Sequence, residues 1–307
     1  MVYIDDSIMQ KGRESSAGSK ILENFIAPFD ATVLSRLAAF PGGGETERVK
    51  LAEFGLSDPG ELSGAPLLCN DVFGHARVRA AKQGLCFIRP TYGTVSRFGL
   101  IPVASSMDQI GIVSKDPEAG FSLLEKIAGF DENDGAMFPE KNYSYSALPD
   151  KIKWAHDASF TEKYSHVYDQ VLRILAYAEM SNNTSRYDGI KFGYRASGFR
   201  NLEELYTKTR TQGFGGEAKL AAVMGCVALS KDYYEAYYDK AMRVRRLIKE
   251  SFDFKNYDVI SAPAESPLAV LAGLPSLTLP HGGKGIQLIA GVKKESALLR
   301  AWEVMAK

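Results

Sequence analysis

The chain has 307 residues, 45% of them apolar, with Lys plus Arg and Asp plus Glu both at 37 and three cysteines. That is enough chain to bury one large core, and the zero formal charge gives no global field for nucleic acid or an anionic membrane. Scattered cysteines exclude a disulfide framework, and no uninterrupted apolar run approaches the eighteen or so residues of a membrane span, so a cytoplasmic protein is expected.

In chain order, the first helical pattern is "DATVLSRLAAF", where Asp30 is placed to cap and Val33, Leu34 and Leu37 recur at helical spacing. Residues 40–66, "FPGGGETERVKLAEFGLSDPGELSGAP", are polar, glycine-rich and proline-punctuated. They read as a flexible loop region in which "ERVKLAEFG" could make a short helix. "GLCFIRP" at 84–90 reads as a strand. "DPEAGFSLLEKIAGF" opens on Asp116 and Pro117 and closes near Gly129, the proline-in, glycine-out asymmetry of a helix. A longer amphipathic helix is expected in "EKYSHVYDQVLRILAYAEM". "GFGGEAK" at 213–219 is a tight entry turn, or an anion cradle, before another. That second long helix should break near Leu229 to Asp232, and "MRVRRLIK" beyond it reads as one wet basic face. Apolar runs at 257–263, 275–280 and 284–291 are strands without clean alternation, and "KKESALLRAWEVMA" is a closing helix. The expectation is a single α/β domain over 1–307, with a mixed sheet flanked by helices.

Few residues offer chemistry. His75 and His281 lie in loops, His156 could be exposed, and His166 falls on a helix. With Asp71, Asp5 or Asp6 the loop histidines do not make a recognised ligand pattern, so neither a metal nor a cofactor is expected. Cys69 lies six residues before His75 and could close into a dyad around the intervening turn, or be a buried spectator. Ser15 and Ser16 near Lys20, and Ser105 with Ser106, fit ordinary turns better than nucleophiles.

Several stretches, among them "GRESSAGSKILENFIAPFDATVLSRL", "RPTYGTVSRFGLIPVASSMDQIGIVSKDPEAGFSLLEKIAGFDENDG" and "NTSRYDGIKFGYR", closely resemble the amidase signature family, in particular the A subunits of tRNA-dependent amidotransferases. The resemblance implies the family's α/β fold and an ancestry in amide hydrolysis by a Ser, a second Ser in a cis peptide and a Lys. It also implies losses. Where the family has V-K-D-N-I, this chain has "IDDSI", so Asp5 stands at the Lys. Where the family has D-T-G-G-S-I-R, it has "DVFGHAR", so His75 stands at the nucleophile, between Asp71 and Arg77, and Phe73 replaces a glycine. The G-G-S-S-G-G-S-A segment of the bridging Ser has no counterpart, and residues near 52–71 and between "YDVISAPA" and "LAGLPS" are shortened.

The expectation is a truncated, degenerate homologue, inactive in amide hydrolysis and working through a protein partner, self-association or a ligand. Transfer RNA would be reached only through a complex. Arg77 and Tyr187 are the candidates for a substrate contact. The rival is a glutamine or other amide hydrolase, or a different enzyme, with a rebuilt site drawn from Asp5, His75, Asp71 and Cys69.

Overall fold

A computed structural model describes residues 1–41, 44–62, 65–155 and 162–306. His156 lies outside the described residues, as do Gly42 and Gly43 of the triple glycine.

Among the described residues, nine strands form one mixed sheet: β1 (Val2–Asp5), β2 (Thr46–Val49), β3 (Leu67–Asn70), β4 (Cys86–Arg89), β5 (Ile110–Ser114), β6 (Trp154–Ala155), β7 (Val259–Pro263), β8 (Ser276–Leu279) and β9 (Ile286–Ala290). Their spatial order is β2-β1-β3-β5-β4-β8-β9-β7-β6. The β2, β1 and β3 strands run parallel, as do β7 and β6, and the other pairings are antiparallel. The helices are α1 (Thr32–Ala38), α2 (His75–Lys82), α3 (Pro117–Ile127), α4 (Tyr168–Thr184), α5 (Leu202–Gly213), α6 (Gly216–Leu229), α7 (Lys240–Glu250), α8 (Leu268–Ala272) and α9 (Glu295–Met305).

Strand alternation divides the core in two. Ile4, Leu68, Ile88 and Ile112 pack with α1, α3 and α9. On the opposite face, Leu67, Cys69 and Phe87 meet Ala76 and Ala80 of α2, while Ile289 and Ala262 meet α4, α7 and α8. The result is a helix–sheet–helix sandwich, the layer class that the mixed strand and helix patterns imply.

The four expected strands are β4, β7, β8 and β9. The expected helix break falls where α6 ends at Leu229; a turn and a π-helical segment, Glu235–Asp239, lead into α7. At α3, the Asp116 carboxylate accepts from the Ala119 amide at 2.8 Å, the cap its sequence announces.

Two local expectations are corrected. Asp30 does not cap α1: Ala31 occupies the N-cap, and the Asp30 carboxylate instead accepts from the Lys11 amide at 2.8 Å. Within 40–66, "TERV" is not helical but forms β2, paired in register with β1 from Val2 opposite Thr46 to Asp5 opposite Val49. Arg48 fixes it by donating to the carbonyls of Ile8 and Asp6 and to the Ser15 hydroxyl. A 3-10 turn, Glu53–Gly55, then buries Phe54.

Candidate functional site

Two chain segments meet at the carboxyl ends of β1 and β3. The register that sets Ile4 beside Leu68 carries Asp5 toward the face where α2 begins. Past β3, Asp71 to Gly74 turn the chain into α2, with Gly74 at the N-cap at φ 90°. A side chain at Gly74 would be strained at that φ, and its Cβ would lie 2.6 Å from the Arg77 guanidinium, so this turn requires glycine.

Asp5 is 7% exposed. It accepts a short hydrogen bond from the Ser7 hydroxyl and another from the Leu51 amide. Burial, and then the neighbouring Asp6, push its carboxyl up to about 7, against the pull of those hydrogen bonds. Asp6 serves local structure. Its carboxylate gathers the Ser16 hydroxyl and amide and the Gly18 amide, which shapes the turn after Ser15.

Asp5, Ser7 and His75 line one narrow cavity of about 20 Å³ together with Leu51, Phe54 and Val72. That is room for about one water. No hydrogen bond or ion pair joins Asp5 to His75 among the described residues. On its other side, His75 borders an open depression of about 240 Å³ with Phe73, Arg79, Asp58 and Glu265, where Arg79 and Asp58 form an ion pair.

The other candidates are placed differently. Asp71 is buried, and its carboxylate accepts from the amides of Ala76 and Arg77 and from the Arg77 guanidinium at 3.0 Å. Arg77 is 1% exposed and spends its remaining donors on the carbonyls of Ala264, Glu265 and Ser266, pinning α2 to the end of β7. Four of its five N–H donors are thus spent inside the protein, and its burial keeps the guanidinium away from a substrate. Cys69 is fully buried, and burial, then Asp5 and Asp71, push its thiol well up, away from the thiolate a nucleophile needs. Tyr187 lies behind the cavity wall, its ring stacked on Phe54 at 6.4 Å, and burial raises its hydroxyl to about 12. His281 sits on an exposed turn apart from these residues. Among the described residues no three His, Cys, Asp or Glu side chains come close enough to hold a metal ion.

Ser7 and Glu53 are the residues that sequence reasoning missed. Ser7 follows from "IDDSI", because a hydroxyl two residues beyond a buried acid can satisfy it. Glu53 answers the question posed by the glycines before α6. Its carboxylate accepts from the Gly215 amide at 3.1 Å and from the Ser19 hydroxyl, so the anion on that helix start is the protein's own.

Comparison with known proteins adds the lineage. The chain matches the Amidase family over residues 68–152 and 156–292. It is 35% identical to the A subunit of the glutamyl-tRNA(Gln) amidotransferase of Listeria innocua, over 97% of this chain and 81% of that protein. That alignment runs over 392 positions, more than this chain has residues, so the relative carries segments missing here. Among solved structures, the A subunit of the Thermotoga maritima glutamyl-tRNA(Gln) amidotransferase superposes with a TM-score of 0.65 at 26% identity, covering 97% of this chain and 81% of that one. A chain from a vestigial protein complex tied to the origins of an s-triazine catabolic enzyme superposes at 0.74 and 19% identity, covering 99% and 83%.

Proposed function

Because this chain belongs to the amidase family, we propose that it is an amidotransferase A-subunit homologue that has given up amide hydrolysis by the Ser–Ser–Lys route and acts by binding. The observation that carries this reading is the surroundings of Asp5. At the position that resemblance gives to the catalytic Lys stands an enclosed carboxyl, hydrogen-bonded to Ser7, beside a cavity of about 20 Å³. Small-molecule sites generally run to several hundred Å³, so an amide substrate does not fit in that cavity beside Asp5. Among the described residues, no base or serine is hydrogen-bonded to His75, at the nucleophile's position.

A second reading is favoured by the comparisons themselves, since the relatives at 33–36% identity bear an amidotransferase's name. An acid held near 7 is well matched to proton transfer at neutral pH, and it shares a cavity with a histidine. In that reading Asp5 and His75 act across the cavity they share, and His75 takes a proton from water as it attacks the amide carbon. The C–N bond then breaks and the amine leaves with a proton.

Ammonia release from glutamine separates the two readings. The parent, Asp5→Asn and His75→Ala are expected to match the buffer blank. Turnover by the parent that both variants lose, while each keeps its circular dichroism, would overturn the first reading and establish the second.

Binding within a complex suits the first reading, and the vestigial complex formed by a structural neighbour is a precedent for it. With 37 charges of each sign, tRNA contact would come through a partner. No helix among the described residues is long and apolar enough to cross a membrane. A cytoplasmic setting, with Cys69, Cys86 and Cys226 all free, belongs to the same proposal.

A further inference from the structure

A helix on the outside of a layered protein normally turns its apolar stripe inward and its polar residues outward. Helix α6 does otherwise. It packs Ala218, Ala221, Gly225 and Ala228 inward, and α4 is its main neighbour. Its large side chains point out: Leu220 is 49% exposed, Val223 61%, Met224 49% and Val227 39%. Beyond the turn, Tyr233 and Tyr237 extend this face, their rings 5.9 Å apart. Together with Ile174 and Tyr177 of α4 they enclose a groove of about 700 Å³. Val223, the most exposed residue of the set, does not line the groove but stands beside it as a ridge.

We propose that this face is the docking surface for a second copy of the chain, the α6 ridge of each copy lying in the groove of the other about a two-fold axis. The inference goes beyond the reading above and stands whether or not the chain hydrolyses amides. A two-fold contact needs a patch complementary to itself, and a ridge beside a groove supplies that. Area supports it too. The six side chains from Leu220 to Tyr237 expose on the order of 500 Å², about the apolar share of the ~800 Å² each partner buries in a standard interface. Charge favours a copy over a strongly acidic or basic partner. Among the described residues, Arg173 is the one charged residue lining the groove, and it donates to the Tyr177 hydroxyl at 2.8 Å. Next to the groove residues in sequence, Glu217, Lys219, Lys231, Asp232 and Glu235 are exposed and offer both signs for pairing across a two-fold. The chain's zero formal charge leaves no net repulsion between copies.

Sedimentation velocity of the full chain at micromolar concentrations tests this. The parent is expected to be a dimer, and Val223→Glu and Met224→Glu are expected to be monomers with unchanged circular dichroism. Leu202→Glu, equally exposed but outside the groove, should remain dimeric. A monomeric parent, or a folded Val223→Glu that stays dimeric, overturns the proposal. Should the glutamate variants misfold, the parent still decides. Cys226 on α6 is its one exposed cysteine, and spin labels there should couple at on the order of 20–30 Å, the separation of labels on two touching helices. Absence of that coupling overturns the proposal equally.

Discussion

Asp5 reverses the pH behaviour expected of an ordinary carboxylate. Unfolded, it titrates near 3.8; folded, burial raises it to about 7. Between those values the folded state holds a proton that the unfolded chain has released. The stability contributed by neutral Asp5 is therefore full below about pH 4 and is lost as pH rises toward 7, by on the order of 4 kcal/mol. Asn at this position keeps an acceptor for Ser7 and Leu51 and carries no charge at any pH. Urea unfolding should show Asp5→Asn gaining on the parent between pH 5 and 8; the same difference at both ends would refute the assignment. Arg77 supports a second expectation. Removing it leaves a buried Asp71 carboxylate without its cation and three carbonyls without donors. Arg77→Met should cost about 3–5 kcal/mol in urea unfolding, the range for breaking a buried pair. A loss below 1 kcal/mol would mean the guanidinium is not needed there.

At the scale of elements, Gly225 tests how α4 and α6 are joined. A Cβ added there would lie 2.1 Å from the Tyr177 carbonyl oxygen and 2.6 Å from the Ser181 Cβ. Alanine gains about 1 kcal/mol of helix propensity, while forcing two packed helices apart costs about 1–3 kcal/mol or more. With backbone as the obstacle the steric term wins, so Gly225→Ala should lower the unfolding midpoint, and a raised midpoint would contradict the packing. The same helix shows what sequence reveals and what it hides. The end of α6 and the cap of α3 are local chemistry, written in neighbouring residues. The outward face of α6 was hidden because its composition is apolar on every side, so periodicity could not say which side is buried. Strands β1, β3 and β5 are no shorter than the strands that were legible, but each ends on a polar residue, Asp5, Asn70 or Ser114, that turn chemistry also claims. At the site, "IDDSI" and "DVFGHAR" located both walls of the cavity through resemblance. Its size was not legible, because Leu51 and Phe54 reach it from a segment read as a loop. Nor was the confinement of Arg77, whose carbonyl partners lie almost two hundred residues away.

For the molecule as a whole, the question is where stability resides. Strands β4, β5 and β8 are buried at every residue and covered by helices on both faces, whereas β2 is an edge strand with no fully buried residue. An edge with few buried contacts opens at lower free energy than the centre it borders. Within 40–66, β2 is therefore expected to open before the central strands. Amide hydrogen exchange should be faster at the edge strand Thr46–Val49 than in β4, β5 and β8. Because Arg48 ties β2 to the carbonyls of Ile8 and Asp6, Arg48→Ala should speed exchange in β2 at least tenfold, the loss of about 1.4 kcal/mol from local opening, and leave β5 unchanged. Equal acceleration in both strands would mean that the edge and the centre unfold together. The cavity at Asp5 would then open only when the whole sheet does, because Leu51, which lines it, follows directly from this strand.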